Sequence, residues 1–253
     1  MKIQFKTLLI ASLLIPSLSH SEPIVTDRPD FTESSQVVEL GKIQIEAGYT
    51  FSESDTTQGH TLGELLIRIP VLPRLEARLG INSFAFSNEG STETSGLQDS
   101  SIGIKAMILP EQNGWIPQTS LIAGTTLPTG GNPYSESTLQ PGVKFCFGWE
   151  LSENWALSSN LNYDRSSEAG TAFNEFSQSL SLGWGFADQW GAYLEAFSFQ
   201  PDLAGKVAST YINTGLTYLI SDDLQLDARV GSGLNGINKD YFIGFGASSR
   251  FKI

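Results

Sequence analysis

Residues 155–164 read WALSSNLNYD, and this stretch decides the fold. Trp155, Leu157, Ser159, Leu161 and Tyr163 alternate with Ala156, Ser158, Asn160, Asn162 and Asp164. A β-strand sends successive side chains to opposite faces, so one face is apolar with an aromatic at each end and the other is small or polar. A dry core has no use for a face of serine and asparagine, whereas a water-filled interior does. The pattern continues on both sides. Before the tight turn Ser152-Glu153-Asn154, Val143, Phe145, Phe147 and Trp149 oppose Lys144, Cys146, Gly148 and Glu150. After the polar stretch Arg165–Ala172, Phe176, Leu180, Leu182, Trp184 and Phe186 oppose Ser177, Ser179, Ser181, Gly183 and Gly185.

From Lys42 to the end, the chain is a train of roughly twelve such segments of about ten residues. The first is Lys42–Phe51. Tight turns are expected at Pro70–Arg74, Ser152–Asn154, Ala187–Gln189 and Ser221–Asp223, with a longer one at Pro110–Pro117. Polar loops are expected at Ser52–His60, Ser87–Leu97, Pro128–Thr138 and Arg165–Ala172, then before Lys206 and around Asn235-Gly236. A soluble sandwich also alternates but has no reason to gather its short turns at one end. A transmembrane barrel does, with short periplasmic turns and longer outer loops. The fold expected is all-β, a transmembrane antiparallel up-and-down β-barrel of about 12 strands over residues 42–253, with both termini on the short-turn side. Tyr49, Phe51, Trp149, Trp155, Tyr163, Trp184, Phe186, Trp190, Tyr218 and Tyr241 near strand ends form the girdles such a barrel needs at the membrane boundaries. The competing reading makes them the core of a soluble β-protein. The last strand, with Tyr241, Ile243, Phe245, Ala247, Phe251 and Ile253 on one face, suits recognition by a barrel-assembly machinery, although Ile253 rather than an aromatic closes the chain.

Lys2 and Lys6, then the apolar run 8–14 and small residues up to Ser21, read as a cleaved signal peptide, residues 1–21. Its loss removes two lysines and takes the formal charge from −12 to −14, which argues against a nucleic-acid partner. Cys146 is the only cysteine, so no intrachain disulfide can form; it reads as a small buried filler. The predicted location is the outer membrane of a Gram-negative bacterium, with lipid, the assembly machinery and a small-molecule solute as partners.

Alternation places ten charged residues on the inner face: Glu46, Glu76, Arg78, Lys105, Lys144, Glu150, Asp164, Asp227, Arg229 and Arg250. Two readings apply to them. They form a network that keeps the lumen wet and the barrel closed, or they line a pore and set its selectivity. Twelve strands lie between the eight whose interior side chains fill and the sixteen or more of wide channels, so a narrow passage is expected. No catalytic residue is assigned and the chain is read as a non-enzyme. His60 is the sole histidine after residue 21, expected in an outer loop, and a hydrolase triad would have to use it as base. With one cysteine and one histidine no Cys/His metal cluster forms, and no cofactor is expected.

Residues 22–41 show no strand pattern. Their stretch TDRPDFTES, residues 26–34, packs Asp27, Arg28, Asp30, Phe31 and Glu33 together. One reading is a periplasmic tail; the other is a segment folded into the lumen, its charges paired with the inward set, that narrows or gates the pore. TDRPDFTES followed by Gly41-Lys42-Ile43-Gln44-Ile45-Glu46-Ala47-Gly48-Tyr49 resembles the opening of the bacterial family labelled "putative MetA-pathway of phenol degradation". The resemblance extends over essentially the mature chain and implies a channel-like outer-membrane barrel linked to uptake of aromatic compounds. It carries no binding residues over. The functional expectation is a porin-like transporter for passive passage of a small, aromatic or hydrophobic solute. The alternative is a non-conducting barrel acting as a structural protein, adhesin or receptor.

Overall fold

The computed structural model describes residues 22–112, 114–168, 170–235 and 240–253. The predicted signal peptide and Gly236 lie outside the described residues. The ladder begins with β1 (Lys42–Glu53), β2 (Thr57–Leu72), β3 (Leu75–Ile81), β4 (Phe84–Glu89) and β5 (Thr92–Leu97). It continues through β6 (Ser100–Leu109), β7 (Gln118–Leu127), β8 (Gln140–Ser152), β9 (Trp155–Glu168) and β10 (Thr171–Ala187). It ends with β11 (Trp190–Pro201), β12 (Ser209–Ser221), β13 (Leu224–Asn235) and β14 (Tyr241–Lys252). All pairings are antiparallel, and β1 bonds to both β2 and β14, so the sheet closes on itself. β2 pairs with β3 over one part of its length and with β4 over the other. β3 with β4, and β5 with β6, are therefore single strands interrupted at residues 82–83 and 98–99. The result is a closed barrel of 12 strands.

Its burial is inverted relative to a soluble protein. Glu46, Arg68, Glu76 and Lys105 have no exposed surface, whereas Ile104, Leu180, Leu194 and Phe245 are at least half exposed. The ladder satisfies every strand's backbone within the protein, which lets the apolar face meet lipid. At the short-turn end, rings touch across four consecutive strands. Trp155 stacks on Trp184 at 5.5 Å, Phe186 lies 6.4 Å from Trp190, and Trp190 lies 4.6 Å from Tyr218. This is an interfacial aromatic girdle.

Three predicted outer loops are corrected. Residues 52–60, 87–97 and 165–172 are hairpin ends, with ladders running to Glu53↔Gln58, Glu89↔Thr92 and Glu168↔Thr171. Beyond the membrane both strand faces meet water, so pairing continues with no hydrophobic alternation to announce it. His60 moves accordingly from a loop to β2. Its Nδ1 lies 2.7 Å from the Tyr49 hydroxyl and its ring stacks on Phe86 at 4.1 Å.

Candidate functional site: the lumen and its inserted segment

The first strand and the residues before it form one device. On the inner face of β1, Gln44 Nε2 donates to the Val25 carbonyl at 2.9 Å. The Glu46 carboxylate accepts from the Asp27 and Arg28 amides at 3.0 Å each. Two residues on, Gly48 pairs with Gly246 of β14, and a Cβ on either would run into the Arg28 guanidinium. The alternating Gln-x-Glu-x-Gly of β1 is thus a receptor for Val25, Asp27 and Arg28 in turn. Residues 22–41 enter from the short-turn end, where the Ile24 amide donates to the Asp222 carbonyl, and return there before β1.

Asp27 is the hub. Its Oδ2 accepts from Arg78 Nη1 at 2.7 Å and lies 3.5 Å from Arg68 Nη1, and both carboxylate oxygens lie 3.2 Å from Lys105 Nζ. Glu76 joins Arg68 at 3.0 Å and Arg78 at 2.9 Å, and also accepts from the Val38 amide at 2.8 Å. Burial alone would raise the Asp27 carboxyl, but the charges of Arg68, Lys105 and Arg78 outweigh it and hold the group well below the usual carboxylate range. Arg28 reaches Glu64 at 2.6 Å and Asp227 at 3.3 Å, while Arg229 donates to the Pro29 carbonyl at 2.9 Å.

The tip of the segment meets the opposite wall. Phe31 and Thr32 donate their amides to Glu195 at 2.9 and 2.6 Å, and Asn213 supports the same carboxylate at 2.9 Å. Phe31 stacks on Phe197 at 4.6 Å. Glu33 accepts from Arg78 Nη2 at 2.7 Å and Lys144 Nζ at 2.5 Å. Burial pushes the Glu33 carboxyl up, but Arg78 and Lys144 outweigh it and bring it to about 2. Asp30 has no such cation. Burial and the neighbouring Glu195 charge raise its carboxyl well above the usual range, against a Ser181 hydrogen bond.

Of the residues predicted to face inward, Glu46, Glu76, Arg78, Lys105, Lys144, Asp227, Arg229 and Arg250 touch the segment. Asp164 lines a cavity farther toward the long-hairpin end. Arg250 sits at the other end, bonded to Asp223 at 2.7 Å and to the Glu22 carbonyl at 2.6 Å. Glu150 is exposed beside a cavity at that end, away from the cluster. Sequence reasoning passed over Glu64, Arg68, Glu195 and Asn213, and it put Gln44 and Asn160 on polar strand faces without naming them as site residues. Glu64 is instructive. Gly63 and Glu64 carry positive φ (104° and 40°), and the β1–β2 register slips beside them. The bulge adds a residue, so even-numbered side chains point outward at Leu62 but into the lumen from Glu64 on. A non-glycine residue held there costs about 1–3 kcal/mol. The short ion pair to Arg28 and the Glu64 amide's bond to Ser83 Oγ at 3.0 Å offset it.

Space remains on both sides of the segment. A cavity of about 420 Å³ at the short-turn end reaches Asp30, Ser181 and Tyr193. Another of about 400 Å³ at the long-hairpin end reaches Glu33, Arg78, Lys144 and Asp164. Among the described residues, no group of three or more His, Cys, Asp or Glu is arranged to hold a metal ion.

Residues 26–251 match the model of the family described as "Putative MetA-pathway of phenol degradation". The chain belongs to this family. The match starts at Thr26, so the family's shared sequence includes the lumen segment as well as the barrel. Among solved structures, the chain is similar to the COG4313 outer membrane channel from Pseudomonas putida F1, at 13% identity and a TM-score of 0.69. That match covers 86% of this chain and 98% of the other. It is also similar to the translocator domain of autotransporter NalP from Neisseria meningitidis, at 12% identity and a TM-score of 0.55, covering 83% and 88%. No curated protein matches the sequence. These likenesses establish the fold of this family member as that of an outer-membrane barrel.

Proposed function

We propose that the protein is a gated diffusion channel of a bacterial outer membrane, exported with loss of residues 1–21, in which residues 22–41 form the gate. The observation that carries this reading is how the segment is held. Residues 25–38 pair with the wall through ion pairs and side-chain hydrogen bonds, while the wall's own ladder closes without them. A part attached in this way can leave without breaking the barrel. Cavities on both sides of it support a path whose middle the segment occupies. The charged inner wall supports selectivity among solutes rather than catalysis. A non-conducting barrel would also tolerate a filled lumen, and planar bilayers separate the two. Purified, heat-modifiable protein is expected to give discrete single-channel steps; their absence under every voltage and solute tried would favour a structural or receptor role.

The gate is expected to respond to mild acid through Asp30. A carboxyl whose pKa is raised on docking takes up a proton as the segment docks. That contribution is complete below the free value of about 3.9 and is lost as pH rises through the raised value. Asp27 and Glu33, lowered on docking, act in the opposite sense, but only from about 4 downward. Above that range, acidification should tighten docking through Asp30. Asp30→Asn should dock more tightly at neutral pH and flatten the pH profile of the segment's protection from added protease. An unchanged profile would remove Asp30 from the gate.

A further inference from the structure

The tip of the lumen segment presents a ring and a carboxylate two residues apart, and the wall supplies a matching partner for each. Phe31 lies nearly parallel to Phe197 (4.6 Å, 17°) and meets Phe199 edge-on (5.2 Å, 77°), while Phe197 is backed by Tyr211 at 5.1 Å. These are the offset-stacked and T-shaped geometries that aromatic pairs prefer. Glu33 divides its oxygens between two cations, Oε1 to Lys144 Nζ at 2.5 Å and Oε2 to Arg78 Nη2 at 2.7 Å. Lys144 Nζ also stands 5.6 Å from the Phe31 ring centre, so one cation serves both ring and carboxylate. The barrel wall above this point is bare. Gly103, Gly124 and Gly142 are register neighbours on β6, β7 and β8, and the cavity they line, about 400 Å³, opens onto Glu33, Arg78 and Lys144. That volume falls in the range of small-molecule sites.

We propose that these wall groups form a binding site for an arylcarboxylate, a single ring bearing one carboxylate, and that Phe31 and Glu33 are its built-in occupant. The inference rests on the gated-channel reading and names the solute class for that site. An incoming arylcarboxylate takes Lys144 and Arg78 by charge-assisted hydrogen bonds and the Phe197–Phe199 wall by stacking. Segment and solute then exclude each other, so the solute releases the gate as it binds. A neutral phenol leaves Lys144 and the Nη2 of Arg78 without the carboxylate they hold, and a short aliphatic acid leaves the aromatic wall unfilled. Asp164 on the same cavity places a like charge against any second carboxylate, which favours monoanions.

The test is calorimetric titration of sodium benzoate, phenol and acetate into the detergent-solubilised mature barrel, each variant checked for folding by heat-modifiable gel mobility. Vacating the site removes the occupancy that competes with solute, so F31A/E33Q should bind benzoate about tenfold or more tightly than the parent. Phenol and acetate should bind at least about tenfold more weakly than benzoate, since each forfeits one half of the site. Adding K144Q to F31A/E33Q leaves Arg78 as the one cation for the carboxylate and should cut the preference for benzoate over phenol severalfold. Should F31A/E33Q fail to fold, E33Q alone must still bind benzoate more tightly than the parent. Equal affinities in parent and vacated variants, or phenol matching benzoate, would overturn the proposal. Conductance recorded on the same preparations keeps the two ideas apart: benzoate binding without current sinks the channel and leaves the site, and current without benzoate preference does the reverse.

Discussion

Removal of residues 22–34 should raise the single-channel conductance several-fold and shift the selectivity toward anions. The size of the effect follows from barrel geometry. Twelve strands spaced about 4.8 Å apart and tilted by about 40° close at a backbone radius of about 12 Å, which leaves a lumen about 10–12 Å wide inside the side chains. A polypeptide folded through that width leaves cavities on either side and little passage between them. The direction of the selectivity change follows from charge. The deleted residues carry four acids, Glu22, Asp27, Asp30 and Glu33, against one cation, Arg28. Their loss strips Asp27 from Arg78 and Lys105 and Glu33 from Arg78 and Lys144, and leaves the narrowest part of the lumen more positive. Reversal potentials in a salt gradient measure the shift, and conductance amplitudes measure the opening. Amplitudes equal to the parent's would show that the segment does not obstruct the path.

The outer face of the barrel was legible because lipid enforces it. A polar group there costs free energy at every second position of every strand, so alternation in WALSSNLNYD or in residues 75–82 reports the fold directly. The hairpin ends at 52–60, 87–97 and 165–172 were not, since water on both faces places no demand on the pattern. The inner face was legible only where it was uniformly polar. Glu195 hides between Tyr193 and Phe197, inward aromatics that make both faces of β11 apolar, and Phe197 is there because Phe31 packs on it. Arg68 hides in ELLIRI, residues 64–69, because its inward neighbour Leu66 is also apolar. Glu64 was lost to a bulge that an uninterrupted count of alternation passes over. The seat of residues 22–41 depends on contacts such as Arg28 with Asp227, far apart in the sequence, which no local period encodes. One trace of it did stand in the sequence. TDRPDFTES and the Gln44-Ile45-Glu46-Ala47-Gly48 that follows it belong together because the second holds the first.

Asp27→Asn should open the gate with the barrel intact. The substitution keeps the side chain's size and its oxygen for the Ser34 amide, which donates to Oδ1 at 2.8 Å, but removes the charge and puts an amide NH2 donor where Oδ2 accepted from Arg78. Arg78, Arg68 and Lys105 then share one carboxylate fewer in a region where Asp27, Arg68 and Lys105 are almost wholly shielded from water. Removing one partner of a buried ionic cluster costs about 3–5 kcal/mol. Because the wall cations keep Glu46 and Glu76, that cost falls on docking of the segment rather than on the ladder. At 1.4 kcal/mol per factor of ten, the docked-to-released ratio falls by about a hundredfold to a few thousandfold. A channel that is closed nearly all the time becomes one that opens often, with full-amplitude steps like those of the deletion. Glu39→Gln is the control, since Glu39 is exposed to water and its pair with Lys42 is worth about 1 kcal/mol or less. The double variant D27N/K105M removes the unmatched cation as well and should return much of the closure. If Asp27→Asn opened no more often than Glu39→Gln, the gate would have to be held elsewhere along the segment. If Lys105→Met gave no rescue, the lost charge would not be the reason for the opening.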